Sequence, residues 1–347
     1  MGCGTSTAAP AVAPVVASQQ DGTIEDESIL TVIRKMRSVD GQISLNGRSR
    51  DVTPKQLESI MAAIDLLDVK EYAGKFSQLS WNAIQESAAT TLVMPSTIHQ
   101  GNTTTCGPIT CLEAMACFRP AMYARLVLAV YGRGQVIDAS GRPWGATPDL
   151  KADLLASAPP PSIRSASVAD WMVATAMSAE LKDQDLFRDL LGHDDYLGGD
   201  AFGPDGRTVD FVRGLTTPWD IKKFLTELVG CTSIDRDLMY WVPRPSTTEK
   251  MKALTASGAL AAGEVVLLCL ISDTLWHLAE KRRDVEKADG WAIPEHWVRV
   301  RSVEESLAEY GVLEISLFSM GEVQERRVSH AGWQRICFEA VFGTLNG

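Results

Sequence analysis

Residues 100–108, Gln-Gly-Asn-Thr-Thr-Thr-Cys-Gly-Pro, open a segment that predicts a helix beginning near Cys106. Pro108 fits the first turn of a helix. The apolar residues that follow recur at helical spacing: Ile109, Leu112, Met115 and Ala116. A thiol at a helix N-terminus has a lowered pKa, and the thiolate is its reactive form. The segment therefore predicts a nucleophilic cysteine at the start of a helix.

The same segment contains groups that acyl transfer requires beside a nucleophile. A tetrahedral intermediate carries an oxyanion, which needs hydrogen-bond donors. The backbone N–H of Cys106 is one candidate donor, and the side-chain amide of Gln100, six residues earlier, is another. Gly107 permits close backbone approach to a substrate.

A catalytic cysteine needs a base, and the chain has five histidines: His99, His193, His277, His296 and His330. His296 begins an apolar strand pattern after a loop, which is how a Cys–His pair is assembled from distant segments. We therefore expect His296 to be the base, with His277, at the end of another strand pattern, as the second choice. His99 is expected to point away if Gln100 points into the site.

Outside the segment around Cys106, strand patterns are concentrated in the last third of the chain. Residues 264–271 form a continuous apolar run typical of a buried strand, whereas 296–301 and 312–317 alternate between apolar and polar residues. Residues 323–328 and 336–342 are further strand candidates. Because helical patterns dominate the first two thirds, we predict an α+β fold in which helices pack against an antiparallel sheet.

The helical patterns suggest a division of the chain into three parts. Residues 1–22 are expected to be a disordered arm, 23–90 a helical N-terminal segment, and 91–347 a catalytic domain with a helical and loop insertion at about 138–260. Thr53 and Pro54 are typical of a helix N-terminus. The other helices are expected at 24–36, 121–131, 167–182, 217–229 and from about Ser246.

Gln100, followed by Cys106-Gly107-Pro108 and then by His296-Trp297-Val298, resembles the papain-like cysteine peptidase superfamily. The sequence motif is most similar to that of its peptidase C39-like branch. The resemblance covers residues 96–118 and 262–343. It implies a papain-like fold and hydrolysis or transfer at an amide or thioester bond.

One position departs from the pattern of that superfamily. A third residue, Asn or Asp, should end the next strand and hold the imidazole, but the family pattern aligns Phe318 there. Phenylalanine accepts no hydrogen bond, so Ser319 or Ser316 is expected to substitute. Because such a residue fixes the tautomer of the histidine, its loss lowers the rate without removing the Cys–His pair.

Composition narrows the possible partners. The chain has 347 residues, a formal net charge of −11 and a pI near 5.0, so nucleic acid is not an expected partner. No apolar run is long enough to span a bilayer. The seven cysteines show no metal-ligand spacing. We expect no metal or cofactor, and mostly reduced, buried thiols in a cytoplasmic protein.

The first residues of the chain indicate a second location in the cell, at a membrane. Gly2 and Ser6 fit the pattern for N-myristoylation, and Cys3 could take a second acyl chain. Two chains give stable anchoring, so acylation would place the protein on the inner face of a eukaryotic membrane.

Together these patterns predict a thiol hydrolase acting on a peptide or side-chain amide in a protein or peptide substrate. Its catalytic residues are expected to be Cys106, His296, Gln100 and Ser319. Two alternatives stay open. One is a secreted effector or toxin of the same fold that modifies a host protein as a deamidase or an acyl- or transglutaminase-type transferase. The other is an inactive papain-like binding module. The oligomeric state is not readable from the sequence.

Overall fold

The structure is a computed structural model. It describes residues 33, 42–45, 48–101, 103, 105–145, 150–182, 216–238, 245–280, 285, 296–319 and 321–345. The predicted disordered arm, most of the predicted helix at 24–36, and Gly2 and Cys3 lie outside these ranges.

The described residues combine helices with a six-stranded antiparallel sheet, which confirms the α+β class. The sheet has the order β3-β8-β4-β5-β6-β7. Its strands are β3 (Ser233–Leu238), β4 (Val265–Ile271), β5 (His296–Glu305), β6 (Val312–Ser319), β7 (Glu322–Ser329) and β8 (Cys337–Thr344). Five of the six strands, all but β3, lie where the apolar patterns predicted them.

Helices precede and flank this sheet. In the first half of the chain they are α1 (Pro54–Leu67), α2 (Trp81–Val93), α3 (Cys106–Phe118), α4 (Pro120–Leu128), α5 (Ala152–Leu155) and α6 (Val168–Lys182). In the second half they are α7 (Pro218–Lys223), α8 (Pro245–Ala256), α9 (Ala259–Ala262), α10 (Asp273–Glu280) and α11 (His330–Ile336). Turns of π-helix continue α4 over Ala129–Arg133 and α7 over Phe224–Val229. None of the described helices combines the length and the apolar character needed to cross a bilayer.

The segment before the cysteine packs onto the rest of the protein. It is not wholly helical, since β1 (Gln42–Leu45) and β2 (Arg48–Asp51) form an antiparallel hairpin before α1. Thr53 caps α1 as predicted: its hydroxyl accepts from the Gln56 N–H, and the Gln56 side chain accepts from the Thr53 N–H. Buried residues of β1, α1 and α2 belong to the same apolar cluster as those of α3.

The sheet has an apolar cluster on each face. Trp297 and Phe318 face the helices α1 to α4 and α6, whereas Val298 and Leu317 face α8, α10 and α11. Because side chains alternate along a strand, residues of β5 and β6 contribute to both clusters.

A buried carboxyl in the helical cluster gives the fold a pH dependence. Asp170 of α6 is fully buried and accepts hydrogen bonds from Tyr123 (2.6 Å) and Thr91 (2.8 Å). Burial raises the pKa of Asp170 to about 7, although these two hydrogen bonds lower it. A raised folded-state pKa means that stability is highest below the unfolded pKa and falls as pH rises towards 7.

Asp170→Asn is therefore expected to match the wild type near pH 4 and to be more stable at pH 8, by on the order of 4 kcal/mol. Chemical denaturation at several pH values measures this difference. Asp65→Asn, a change at an exposed position of α1, is the control and should leave the pH dependence unaltered. Equal stability of Asp170→Asn and wild type at pH 8 would contradict the burial argument.

Candidate active site

Cys106 is the first residue of α3, as the sequence predicts. The preceding residue, Thr105, makes no side-chain cap, and Pro108 has no N–H, so the first turn leaves donors for another acceptor. The Cys106 thiol is near these donors, since the backbone N–H groups of Cys106 and Gly107 lower its pKa. The sulfur therefore lies at the positive end of the helix.

His296 opens β5, and the first turn of α3 lies against this strand start. The backbone N–H of Trp297, the residue after the histidine, is near enough to the Cys106 thiol to lower its pKa. Thr110 bridges the same two elements, since its hydroxyl contacts the carbonyl oxygens of Cys106 (2.7 Å) and Trp297 (3.1 Å). These contacts bring the cysteine and the histidine segments together from positions almost 200 residues apart.

Ser319, the last residue of β6, holds the imidazole of His296. Its Oγ lies 2.9 Å from Nε2 of the histidine, and both side chains are buried. Of the two serines that the sequence offered as substitutes for an Asn or Asp, Ser319 makes this contact, while Ser316 faces Ser302 across the strands. Phe318 is buried in the apolar cluster.

Burial sets the protonation states of Cys106 and His296. Burial raises the pKa of the Cys106 thiol; the N–H groups of Trp297, Gly107 and Cys106 lower it in part, and the carboxylate of Asp273 raises it. The prediction that the helix N-terminus lowers the pKa of Cys106 is therefore wrong in direction. Burial, together with the charge of His277, lowers the pKa of His296 to about 4. At neutral pH the resting site holds a thiol and a neutral imidazole.

Helix α10 contributes His277, the second choice for the base, and Asp273, which was not assigned to the site from the sequence. It begins two residues after Ile271, the β-sheet partner of His296. Asp273 starts the helix, and His277 follows one turn later, with its Nδ1 2.9 Å from the Asp273 carbonyl oxygen and 3.4 Å from its carboxylate. His277 thus lies in a helix rather than at a strand end, and its side chain is half exposed.

Gln100 and His99 occupy the turn that leads into α3. Gln100 is buried, and its backbone oxygen accepts from the N–H and hydroxyl of Thr103 at 3.3 and 2.7 Å. The imidazole of His99 turns back on its own segment, where Nδ1 accepts from the Gly101 N–H at 2.8 Å.

An ion pair fixes α3 on β5 beyond the candidate site. Glu113 of α3 and Arg299 of β5 form a two-pronged pair: Oε2 accepts from Nε, and Oε1 accepts from a terminal guanidinium nitrogen at 2.6 Å. Both side chains are almost fully buried. The pair lies two helical turns after Cys106 and three strand residues after His296, so it sets how the helix and strand meet.

Two other polar features do not involve the predicted catalytic residues. A cavity of about 970 Å³ lies at the far end of α3. Its lining contains equal numbers of positively and negatively charged side chains: Arg50, Arg299, Arg301, Asp51, Glu113 and Glu325. A group of three potential metal ligands, Glu249, Glu305 and His330, already binds the Lys252 ammonium at 2.9 Å (Glu249) and 2.7 Å (Glu305).

No family model matches the chain, and neither a curated protein nor a solved structure shows significant similarity to it.

Proposed function

We propose that the protein is a papain-like thiol hydrolase that acts on an amide bond through Cys106 and His296. The observation that carries this proposal is the placement of the cysteine sulfur. It lies at a helix N-terminus, where the N–H of the residue after His296 lowers the pKa of the thiol, and Ser319 holds the imidazole of His296 at Nε2. A helix bearing the cysteine and a strand opening with the histidine is also the papain-like arrangement.

The charges favour general-base catalysis rather than a resting thiolate. If the His296 Nε2–H donates to Ser319, Nδ1 is the basic nitrogen, and it takes the thiol proton as sulfur attacks the carbonyl. The Cys106 N–H and the Gln100 amide would hold the oxyanion. The C–N bond then breaks, the imidazolium protonates the leaving nitrogen, and water hydrolyses the thioester to release the acid.

The inactive binding module is the second candidate, because burial and the raised pKa of Cys106 both lower the reactivity of the thiol. The two candidates make different predictions for Cys106→Ala. A hydrolase is expected to convert amides to acids in a peptide library, as read by mass spectrometry, and Cys106→Ala is expected to abolish the conversion. Amides left intact by the wild type would contradict the hydrolase and support the binding module.

Ser319→Ala is expected to slow alkylation of Cys106 by iodoacetamide by about 10-fold, the effect of one buried hydrogen bond. The loss of the Nε2 partner frees the imidazole to rotate and to adopt the wrong tautomer. The measurement is the alkylation rate of Cys106, resolved by mass spectrometry. Ser316→Ala, on the same strand, is the matched control and should leave the rate near the wild-type value; equal effects of the two variants would contradict an orienting role for Ser319.

A further inference from the structure

The reactive groups of the candidate site are buried, and Thr216 packs against the residue that follows the cysteine. Cys106 is 6% exposed, and His296 is 4% exposed. Thr216 packs on Gly107 so closely that a Cβ on this glycine would lie 2.5 Å from Cβ, Cγ2 and Oγ1 of the threonine. Gly107 is thus required for this contact, which places the threonine side chain against the residue next to Cys106.

Thr216 is fixed in this position from two sides. Its carbonyl oxygen accepts a hydrogen bond of 2.7 Å from the indole Nε1 of Trp297, the residue next to His296. The following residue, Thr217, caps α7 through reciprocal hydrogen bonds with Asp220. The contact over Gly107 is therefore part of the packed structure.

We infer that Thr216 is a specificity-determining residue, which restricts the site to slender acyl groups such as the primary carboxamide of a glutamine or asparagine side chain. An endopeptidase must lay a main chain across its nucleophile on both sides of the scissile bond, which requires an open groove. A side-chain carboxamide approaches end-on as a single unbranched arm. The burial of Cys106 and the packing of Thr216 on its neighbour Gly107 favour the second approach.

The inference rests on the proposed hydrolase and narrows its reaction to deamidation. The Cys106 sulfur bonds to the carboxamide carbon, and the C–N bond breaks. Ammonia leaves with the proton that His296 took from the thiol. Water then cleaves the thioester, so that carboxamide and water give carboxylic acid and ammonia.

Two thiol reagents of different width test the entrance. Iodoacetamide is itself a slender primary carboxamide, whereas N-ethylmaleimide presents a substituted ring. Each rate at Cys106 is divided by the rate of the same reagent with glutathione, which removes intrinsic reactivity. We expect the normalised rate in the wild type to favour iodoacetamide by about 10-fold or more, and Thr216→Gly to bring the ratio close to one.

Control variants distinguish steric access to Cys106 from the reactivity of its thiol. Thr232→Gly makes the same change at an exposed position and should keep the wild-type ratio. Thr216→Ser removes only the methyl group and should give an intermediate ratio, which guards against a misfolded glycine variant. His296→Ala should slow both reagents and leave their ratio unchanged.

A wild-type ratio close to one, or a high ratio that Thr216→Gly does not change, would overturn the role of Thr216 and leave the hydrolase standing. Failure of the hydrolase has a different signature. In that case Cys106 is inert to both reagents in wild type and Thr216→Gly alike, and the inference about Thr216 falls with it.

Discussion

Glu113→Ala is expected to lower the free energy of unfolding by about 3–5 kcal/mol, because it leaves the Arg299 guanidinium buried without its counter-charge. Burial lowers the pKa of Arg299, but the charge and hydrogen bond of Glu113, together with Cys117, raise it by more, so the arginine stays charged in the folded protein. Its side chain is only 6% exposed, and the carboxylate that it contacts is 3% exposed. Urea denaturation measures the loss.

The matched variant for this prediction replaces both partners. Glu113→Met with Arg299→Met removes both charges and keeps apolar volume at the interface between α3 and β5, so most of the lost stability should return. A loss below about 1 kcal/mol in Glu113→Ala would show that the pair is solvated and does not fix the helix on the strand. The double variant should also retain reactivity at Cys106 if α3 and β5 keep their contact.

His296→Ala is expected to slow alkylation of Cys106 by at least about 100-fold at neutral pH, the lower range for a lost general base. The proposed cause is the raised pKa of the thiol, because a protonated sulfur would need the His296 imidazole for its deprotonation. Since the pKa of His296 is lowered to about 4, the histidine is unprotonated above that pH. The histidine-dependent rate should therefore be present at pH 5 and disappear as pH falls through 4.

His277→Ala is the control for this second prediction. Its ring is half exposed and hydrogen-bonded to the backbone of Asp273, so its removal should change the rate at Cys106 far less than His296→Ala does. The opposite order, a large loss in His277→Ala and a small one in His296→Ala, would assign the base to α10.

Local patterns predicted the elements that carry the site. Pro108 and the apolar spacing after Cys106 predicted α3, and the alternation from His296 predicted β5. Burial goes beyond one face in both elements, since residues 106–116 and 296–300 are all buried. The hairpin of β1 and β2 was missed because β2, Arg-Ser-Arg-Asp, has no apolar face. Helix α2 was missed because its buried face is built largely from Ala, Ser and Thr.

The contacts within the site depended on information that local patterns do not contain. The pairing of β5 with β6 shifts between Val300 and Ser302, and such a shift changes which residue of β6 lies near His296. Ser319 therefore remained one of two candidates until the strands were paired. The sign of the pKa shift at Cys106 depends on burial, which long-range packing decides. Thr216, over 100 residues away in the chain, packs on the neighbouring Gly107.

The measurement that tests the central claim most directly is the order in which the wild-type cysteines react with iodoacetamide, resolved by mass spectrometry. Six cysteines lie in the described residues, and among them Cys117 is the most exposed, while Cys106 is buried. If exposure alone set the order of alkylation, Cys117 would react first. Activation by His296 puts Cys106 first at neutral pH, and this is the predicted result. If Cys106 reacts with or after Cys117, and His296→Ala leaves that order unchanged, the Cys106–His296 pair is not a catalytic site.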